Sequence, residues 1–232
     1  MRKKIELHSA MTTFIDLLRH GETENSHRYC GSTDYPLTPR GWAQMWHTVE
    51  MSPFQWQQII TSPLIRCADF AQALGQRYCI PVTQDARLQE IHFGAWENQS
   101  AAELMQVHAD AVSSFWQNPL IYPPPKAEHL LDFETRVLSA WYEIQRQFVD
   151  KRILLITHSG VIRVIICHIQ QYPVERLLEF EVKHASMQHV CIEQAGHSQV
   201  RLVSDSSYDH QAISRCDAIL DPFTCAADGS AK

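Results

Sequence analysis

Phe14-Ile15-Asp16-Leu17-Leu18 is a short, mainly apolar stretch that breaks off at Arg19-His20-Gly21-Glu22-Thr23. An apolar run of this length that ends in a glycine turn predicts a buried strand followed by a loop. Open α/β sheets bind their ligands outside the carboxyl ends of their strands. We therefore expect Arg19 and His20 to lie where a ligand would bind.

A strand followed by a tight turn and a helix recurs twice more. Residues 58–61 precede Ser62-Pro63, which predicts a helix start, and the apolar run 153–157 precedes His158-Ser159-Gly160. A continuous apolar run between helices is typical of a central parallel strand that is covered on both faces. The pattern predicts an α/β fold with three layers, α/β/α, and a mainly parallel central sheet.

Further elements complete this outline. Thr38-Pro39 predicts a helix with an N-cap and a proline in its first turn, and apolar periodicity predicts another helix over 133–148. Residues 81–83 predict a short strand. Residues 186–203 predict two last strands, joined as a hairpin around Ala195-Gly196.

The chain has 232 residues, enough for one domain with a substantial core. We expect this domain to span residues 13–206, after an N-terminal extension over 1–12 and before a tail over 207–232. The formal net charge of −6 argues against a nucleic-acid partner, since such partners select basic surfaces. No apolar run is long enough for a membrane span, so we expect no membrane association.

The cysteines and histidines argue against a metal protein. The seven cysteines are scattered and include no Cys-x-x-Cys pair, a pattern typical of a reduced, cytoplasmic protein. The thirteen histidines show no zinc-ligand spacing, so we expect neither a metal nor another cofactor. The expected partner is a small anionic molecule, and the question of a homodimer stays open.

Two arginines, two histidines and one carboxylate are expected at the same sheet edge: Arg19, His20, Arg66, Glu90 and His158. Arginine side chains bind phosphate oxygens, and a neutral imidazole is a competent nucleophile toward phosphorus. The set therefore predicts phosphoryl transfer without a metal, with His20 as the nucleophile. The two arginines and a protonated His158 would stabilise the transferred group.

The leaving alkoxide needs a proton, so a carboxylic acid should lie beside the ester oxygen. Glu90 is the first choice, whereas Glu97 and Glu22 are alternatives that the chemistry alone does not separate. Helix N-termini after Ser62 and Ser159 are expected to add backbone donors to the phosphate. A neutral nucleophile combined with a protonated acid predicts a pH optimum on the acidic to neutral side.

These residues resemble the signatures of the histidine phosphatase superfamily, also called phosphoglycerate-mutase-like. The resemblance runs from about residue 13 to 194, and the motifs follow the family's order. They are Leu18-Arg19-His20-Gly21-Glu22-Thr23 with Asn25, Asp34-Tyr35-Pro36-Leu37-Thr38-Pro39-Arg40-Gly41, Ser62-Pro63-Leu64-Ile65-Arg66-Cys67-Ala68, Leu88-Gln89-Glu90-Ile91-His92-Phe93-Gly94-Ala95-Trp96-Glu97, and Thr157-His158-Ser159-Gly160-Val161-Ile162-Arg163.

The resemblance implies a role for each matching residue. His20 would be the residue that becomes phosphorylated, and Glu90 would be the proton donor. The phosphate ligands would be Arg19, Arg66 and His158, with Asn25 as a further contact. The implied substrate is a small-molecule phosphomonoester.

The segment between Glu90 and His158 favours a phosphatase over a mutase. Superfamily members that resemble phosphoglycerate mutase carry a longer insertion there, which helps to exclude water, whereas only 67 residues intervene here. Within the phosphatases, residues 93–97, 115–116 and 128–137 resemble α-ribazole-5′-phosphate phosphatases of cobalamin assembly. Three alternatives remain: a broad-specificity phosphatase for sugar or other small phosphates, a cofactor-dependent phosphoglycerate mutase, and a non-catalytic phosphoester-binding protein.

Two positions depart from the α-ribazole phosphatase pattern. Lys126-Ala127-Glu128-His129 stands where many members have Gly-Glu, and Asn98 stands where a glycine is common. The proline run 123–125 predicts a stiff loop that could border the substrate mouth. Arg163, on the helix after His158, is expected to be structural.

Side chains near the mouth could contact the rest of the substrate. An aromatic base would stack on aromatic residues, although residues at such positions more often pack in a core. The candidates for stacking are Tyr29, Trp96, Trp116 and Tyr122, and the candidate rim charges are His27, Arg28, Lys126 and His129.

Overall fold

The computed structural model describes residues 11–195 and 197–203. Its strands are β1 (Met11–Arg19), β2 (Gln58–Thr61), β3 (Val82–Gln84), β4 (Arg152–Thr157), β5 (Met187–Ala195) and β6 (His197–Val203). They form one sheet in the order β3-β2-β4-β1-β5-β6. The first four strands in this order are parallel, β5 pairs antiparallel with β1, and β6 pairs antiparallel with β5. The predicted mainly parallel sheet and the hairpin are therefore confirmed.

Five α-helices are present in the described part of the chain. They are α1 (Pro39–Met51), α2 (Ile65–Tyr78), α3 (Ala101–Gln117), α4 (Leu130–Gln147) and α5 (Ser159–Gln170). Short 3₁₀ helices lie at Ala86–Leu88, Gly94–Trp96 and Val174–Glu179. None of the helices described is both long and apolar enough to cross a lipid bilayer.

The sheet is covered by helices on both faces. Successive side chains of a strand point to opposite faces, so Leu17 packs in the cluster with Trp141 of α4 and Ile165 of α5. Its neighbour Leu18 packs in the other cluster, with Phe70 of α2. The predicted three-layer arrangement is confirmed.

A smaller apolar cluster lies in the segment 91–129, which we call the cap. Its buried residues come from α3 and the turn before it, and Tyr29 packs against them. Ser100 and Glu103 form a capping box at the start of α3, and Arg28 binds both carboxylate oxygens of Glu103 at 2.9 and 3.1 Å. Tyr29 and Trp96 therefore belong to the packing of the cap.

Helix α2 begins later than predicted, at Ile65 rather than directly after Ser62. The reason is a cap supplied from a distant part of the chain, because Asp34 Oδ1 accepts the hydrogen bond of the Ile65 amide at 2.8 Å. The amide of Ile65 is thus bound by Asp34, and the role of this helix start as a source of phosphate donors stays a prediction.

The ends of the predicted domain coincide only in part with the described residues. β1 already begins at Met11, which pairs with Gln194 of β5, so residues 11 and 12 belong to the sheet. The rest of the expected extension, residues 1–10, and the tail from 207 lie outside the described residues, as does the hairpin residue Gly196.

Candidate active site

His20 follows directly after β1 and is buried. Its amide donates to the carbonyl oxygen of Thr157 at the end of β4, and its own carbonyl accepts from the amide of Ala185. The next residue, Gly21, packs so closely on the backbone of Gly41 that a side chain would collide with it. Neighbouring strand ends and α1 therefore hold this histidine in place.

The hydrogen bond of the His20 ring determines which nitrogen can react. Nδ1 lies 2.8 Å from the carbonyl oxygen of Gly21, and because a carbonyl only accepts, Nδ1 carries the hydrogen. The lone pair of the neutral ring is then on Nε2. Burial, followed by the charges of Arg66 and Arg19, lowers the pKa of His20 well below 6.5. The nucleophilic form is therefore present at neutral pH.

Arg66 on α2 is held in place by backbone carbonyl groups. Its guanidinium donates to the carbonyl oxygens of Thr33 at 2.9 Å, Gly31 at 2.7 Å and Cys30 at 3.3 Å, and the side chain is 1% exposed. These bonds use most of its N–H groups. Carbonyl dipoles do not cancel the net charge, so Arg66 can act on a phosphoryl group chiefly as a fixed positive charge.

His158 lies at the end of β4, and its ring centroid is 5.2 Å from that of His20. The Nε–H of Arg66 donates to Nδ1 of His158 at 3.2 Å, and Nε2 of His158 lies 2.8 Å from the hydroxyl of Ser62. Both contacts fit a neutral ring with its hydrogen on Nε2. Burial, followed by the charge of Arg66, lowers the pKa of His158 well below 6.5. The expected protonation of His158 concerns the site with a phosphoryl group bound and stays a prediction.

Arg19 contacts a histidine that the sequence analysis did not single out. Its NH1 donates to the carbonyl of Val182 at 2.6 Å and its NH2 to Nε2 of His184 at 2.9 Å. The ring centroid of His184 lies 5.8 Å from that of His20. No sequence pattern marks His184, because its position depends on how β5 pairs with β1.

The charges of this pair are well defined. Burial, followed by the charge of Arg19, lowers the pKa of His184 to about 4, so this ring is a neutral acceptor. Burial lowers the pKa of Arg19 to about 10, which still leaves it protonated at neutral pH. The Nε of Arg19 is buried without a hydrogen-bond partner in the described part of the chain. An unsatisfied buried donor costs roughly 1–3 kcal/mol, and a bound anion would satisfy it.

Glu90 lies at the N-terminus of α5. One carboxylate oxygen accepts from the amide of Gly160 at 3.0 Å and from the hydroxyl of Ser159 at 3.2 Å, and the other accepts from the amide of Ile91 at 3.1 Å. These donors therefore bind the Glu90 carboxylate. The role of Ser159 as a substrate ligand stays a prediction.

The two alternative acids have other partners. Glu97 accepts hydrogen bonds from the amides of Gly31, Ser32, Thr33 and Phe93 and from the Thr33 hydroxyl. Burial alone would raise the pKa of Glu97, but these hydrogen bonds outweigh burial and lower it. Glu22 accepts from the Thr38 hydroxyl and faces Arg40 at 3.6 Å. Glu97 is thus held by loop amides and Glu22 by Thr38 and Arg40, and the assignment of Glu90 as the proton donor stays a prediction.

Arg136 of α4 holds the loop that carries Glu90. It donates to the carbonyl oxygens of Arg87 and Gln89 at 2.8 Å each and to that of Glu90 at 3.1 Å. Its other N–H groups bind both carboxylate oxygens of Glu128, at 2.6 and 2.9 Å. Glu128 therefore positions the acid loop through Arg136.

The two departures from the family pattern share one backbone conformation. Lys126 and Asn98 both have a φ of 61°, in the left-handed region that favours glycine. Asn98 gains a contact in return, because its Oδ1 accepts from the hydroxyl of Tyr35 at 2.7 Å.

The remaining candidates lie farther from this cluster. Asn25 is exposed with a φ of 60°, and none of the described contacts joins its side chain to the other candidate residues, so its role stays a prediction. Trp116 and Tyr122 are half-exposed on the cap. The described residues include no group of three or more His, Cys, Asp or Glu side chains that could hold a metal ion.

Residues 15–205 match the histidine phosphatase superfamily (branch 1), and the chain belongs to this superfamily. The resemblance seen in the motifs is thereby confirmed, and so is the expectation of an enzyme of the phosphatase class.

Curated relatives include both phosphatases and mutases. The chain is 29% identical over 185 residues to the adenosylcobalamin/alpha-ribazole phosphatase of Escherichia coli (strain K12), covering 77% of this chain and 89% of the relative. It is 26% identical over 216 residues to 2,3-bisphosphoglycerate-dependent phosphoglycerate mutase 2 of Gloeobacter violaceus, covering 89% and 93%. These similarities establish the superfamily and not the substrate.

Solved structures give the same result. YhfR of Bacillus stearothermophilus superposes with a TM-score of 0.74 at 27% identity, covering 85% of this chain and 98% of that one. A putative alpha-ribazole-5′-P phosphatase from Escherichia coli gives 0.72 at 25% identity, covering 85% and 97%. The phosphoglycerate-mutase-like fold is confirmed.

Proposed function

We propose that this chain is a metal-independent phosphomonoesterase that forms a phosphohistidine at His20, and that its substrate is α-ribazole-5′-phosphate. The observation that carries the mechanism is the buried, neutral ring of His20, whose Nε2 has a free lone pair next to two fixed positive charges. These charges belong to Arg19 and Arg66.

In the first step, Nε2 of His20 attacks phosphorus and the ester P–O bond breaks. Charge spreads over the phosphoryl oxygens, where Arg19 and Arg66 stabilise it. Glu90, in its protonated form, gives its proton to the leaving alkoxide, so that a free alcohol departs.

In the second step, water attacks the phosphohistidine. Glu90 takes a proton from this water, the N–P bond breaks, and inorganic phosphate leaves with His20 restored. The segment between Glu90 and His158 includes the cap and, at 67 residues, is shorter than in the mutase pattern, which supports access of water.

His158 acts in this scheme from a neutral starting state. A phosphoryl oxygen would compete with the Ser62 hydroxyl for the hydrogen on Nε2. The negative charge of the phosphoryl group also favours the protonated ring, opposing the effect of Arg66.

Three observations support the specific substrate. The stretches 93–97, 115–116 and 128–137 resemble α-ribazole phosphatases, and one curated relative at 29% identity is named for that activity. Glu128, which lies at the departure from the pattern, still binds Arg136, and Arg136 holds the Glu90 loop. We further propose a cytoplasmic location and activity without any cofactor. Cys79 is disulfide-bonded, so the cysteine pattern does not support this location.

The mechanism is tested by replacing the nucleophile. His20→Asn should lower kcat by at least about 10³-fold, since covalent catalysis is lost. The control is His47→Asn, an exposed histidine on α1 that should change nothing. Rapid quenching of the wild type with labelled substrate should trap an acid-labile phosphoprotein that His20→Asn lacks. Unchanged turnover in His20→Asn would overturn the mechanism.

The substrate is tested with a panel of phosphomonoesters that includes α-ribazole phosphate and sugar phosphates. We expect the highest kcat/KM for α-ribazole phosphate, and similar values across the panel would indicate a broad-specificity phosphatase. The relative from Gloeobacter violaceus makes a mutase the second candidate. Incubation with 3-phosphoglycerate and 2,3-bisphosphoglycerate should release only phosphate, whereas formation of 2-phosphoglycerate would favour the mutase.

A further inference from the structure

A cavity of about 60 Å³ lies beside Glu90. It is lined mainly by apolar side chains of the cap, α4 and the 3₁₀ helix at Val174–Glu179, among them Phe93, Phe115, Pro123 and Leu177. Among the residues proposed to act on phosphorus or the leaving group, Glu90 is the one that lines it. Because Glu90 gives its proton to the ester oxygen, the alcohol attached to that oxygen must lie next to this carboxyl group.

Arg163 of α5 brings a positive charge to the wall of this cavity. Its Nε donates to the carbonyl oxygen of Phe180 at 2.8 Å, which fixes the side chain. Its two terminal nitrogens make no hydrogen bond or ion pair with any of the described residues. Burial lowers the pKa of Arg163, while the charge of Glu90 opposes this shift. Arg163 was expected to be structural, and its bond to Phe180 fits that role. This bond uses only the Nε–H group and leaves the two terminal nitrogens without an assigned role.

We propose that this cavity is the subsite for the alcohol part of the substrate, and that Arg163 donates to an oxygen acceptor on that alcohol. The inference rests on the proposed phosphomonoesterase and specifies which alcohols it takes. The lining combines apolar side chains with the Arg163 guanidinium, His92, Glu90 and a Glu128 carboxylate that is already bound by Arg136. Such a lining fits a carbon chain that carries a hydroxyl or a carboxylate.

The size of the cavity limits what it can hold. A cavity of roughly 150 Å³ is known to hold a benzene ring, so one of about 60 Å³ takes only the few carbons nearest the ester oxygen. The ligand class is therefore a phosphomonoester whose first few carbons carry a hydroxyl or a carboxylate. In α-ribazole phosphate, only the ribose carbons next to the ester oxygen would enter the cavity, and the rest of the ribose and the aromatic base would lie outside it.

The test compares three substrates of similar size, namely propyl phosphate, glycerol 1-phosphate and 3-phosphoglycerate. The alcohol part of propyl phosphate has no acceptor, that of glycerol 1-phosphate has two hydroxyls, and that of 3-phosphoglycerate has a hydroxyl and a carboxylate. Arg163→Met keeps the apolar stem and removes the donors. We expect kcat/KM to fall roughly tenfold to a hundredfold for the two substrates with acceptors and less than about threefold for propyl phosphate. Comparing each substrate between variant and wild type removes differences in leaving-group reactivity.

Two further variants sharpen the result. Arg146→Met, at an exposed position of α4, should leave all three values unchanged. Arg163→Lys keeps the charge without the planar fork and should restore part of the preference, most for the carboxylate. It also tests the proposal if Arg163→Met fails to fold.

Each outcome distinguishes the subsite from the proposed function. If Arg163→Met lowers kcat/KM equally for all three substrates, Arg163 acts on folding or on Glu90 and the subsite proposal is overturned. No change for any substrate also overturns it. A wild-type protein that hydrolyses none of the three, nor α-ribazole phosphate, would instead overturn the phosphomonoesterase itself.

Discussion

Glu97 and Arg66 hold the same loop through opposite sets of backbone groups. The Glu97 carboxylate accepts from the amides of residues 31–33, and Arg66 donates to the carbonyl oxygens of residues 30, 31 and 33. A carboxylate at the start of the cap thereby helps to fix the positive charge next to His20.

Replacing Glu97 should therefore weaken both the fold and the site. We expect Glu97→Gln to lower the free energy of unfolding by roughly 2–3 kcal/mol and kcat/KM about tenfold or more, because charge-assisted hydrogen bonds to the loop are lost. Chemical denaturation and steady-state kinetics measure these effects, with the exposed Glu50→Gln as control. The shape of the pH profile should stay the same. Loss of one limb of that profile would instead identify Glu97 as the acid.

Ser62 accepts the hydrogen on Nε2 of His158, so Ser62→Ala should leave a buried donor unsatisfied. We expect a loss of roughly 1–3 kcal/mol in the free energy of unfolding. The ring should keep its hydrogen on Nε2, because Arg66 still donates to Nδ1. Nitrogen-15 chemical shifts of the imidazole report the tautomer directly. A change of tautomer in this variant would contradict the role of Arg66 as the donor.

Lys126 and Asn98 offer a matched pair for the left-handed backbone. Lys126→Gly should raise the free energy of unfolding by up to about 1 kcal/mol, since the steric penalty at positive φ slightly exceeds the entropy cost of glycine. Asn98→Gly should bring no such gain, because it also loses the hydrogen bond from Tyr35. Thermal unfolding of both variants tests this difference. Equal effects of the two substitutions would show that backbone strain is not what separates them.

Stability should decrease as the pH falls below about 6.5. His20, His158 and His184 have lower pKa values in the folded protein than in the unfolded chain, so unfolding takes up protons in this range. Each fully buried histidine changes the free energy of unfolding by up to about 1.4 kcal/mol per pH unit between its two pKa values, and above the unfolded value the effect vanishes.

His184 provides the test of this pH dependence, with a window from 6.5 down to about 4. His184→Asn should reduce the slope between pH 6.5 and 5 by roughly half of one proton's effect, since the side chain is partly exposed. Denaturation curves at several pH values measure the slope, and His47→Asn serves as the exposed control. A slope unaffected by His184→Asn would show that this ring is protonated equally in both states.

The sequence predicted those parts of the site that depend on strand ends. His20 and His158 each follow an apolar run, and apolar runs become buried strands whose ends meet at one sheet edge. The start of α2 could not be predicted, because its cap, Asp34, comes from a separate loop. The neutral state of His158 could not be predicted either, since it depends on burial and on the approach of Arg66.

The surroundings of the three candidate carboxylates could not be predicted from the sequence either. Glu90 and Glu97 lie seven residues apart in the same motif, and composition does not tell them apart. Their hydrogen-bond partners differ. Glu90 binds the N-terminus of α5, whereas Glu97 is surrounded by loop amides. His184 has no pattern around it and was identified only by its contact with Arg19.

The hydrogen bonds from Arg136 to the Glu90 loop show that the site has two structural parts. The residues proposed to recognise phosphorus are attached to the sheet and its helices, whereas the loop of the proposed acid is held by α4 as well as by the N-terminus of α5. Exchange of the part of the cap that follows Glu97 should therefore change the alcohol that is accepted, while His20, Arg19 and Arg66 keep their positions. The same reaction could then be kept while the substrate changes. An exchanged cap would have to preserve the Glu128–Arg136 ion pair, which connects the cap to α4.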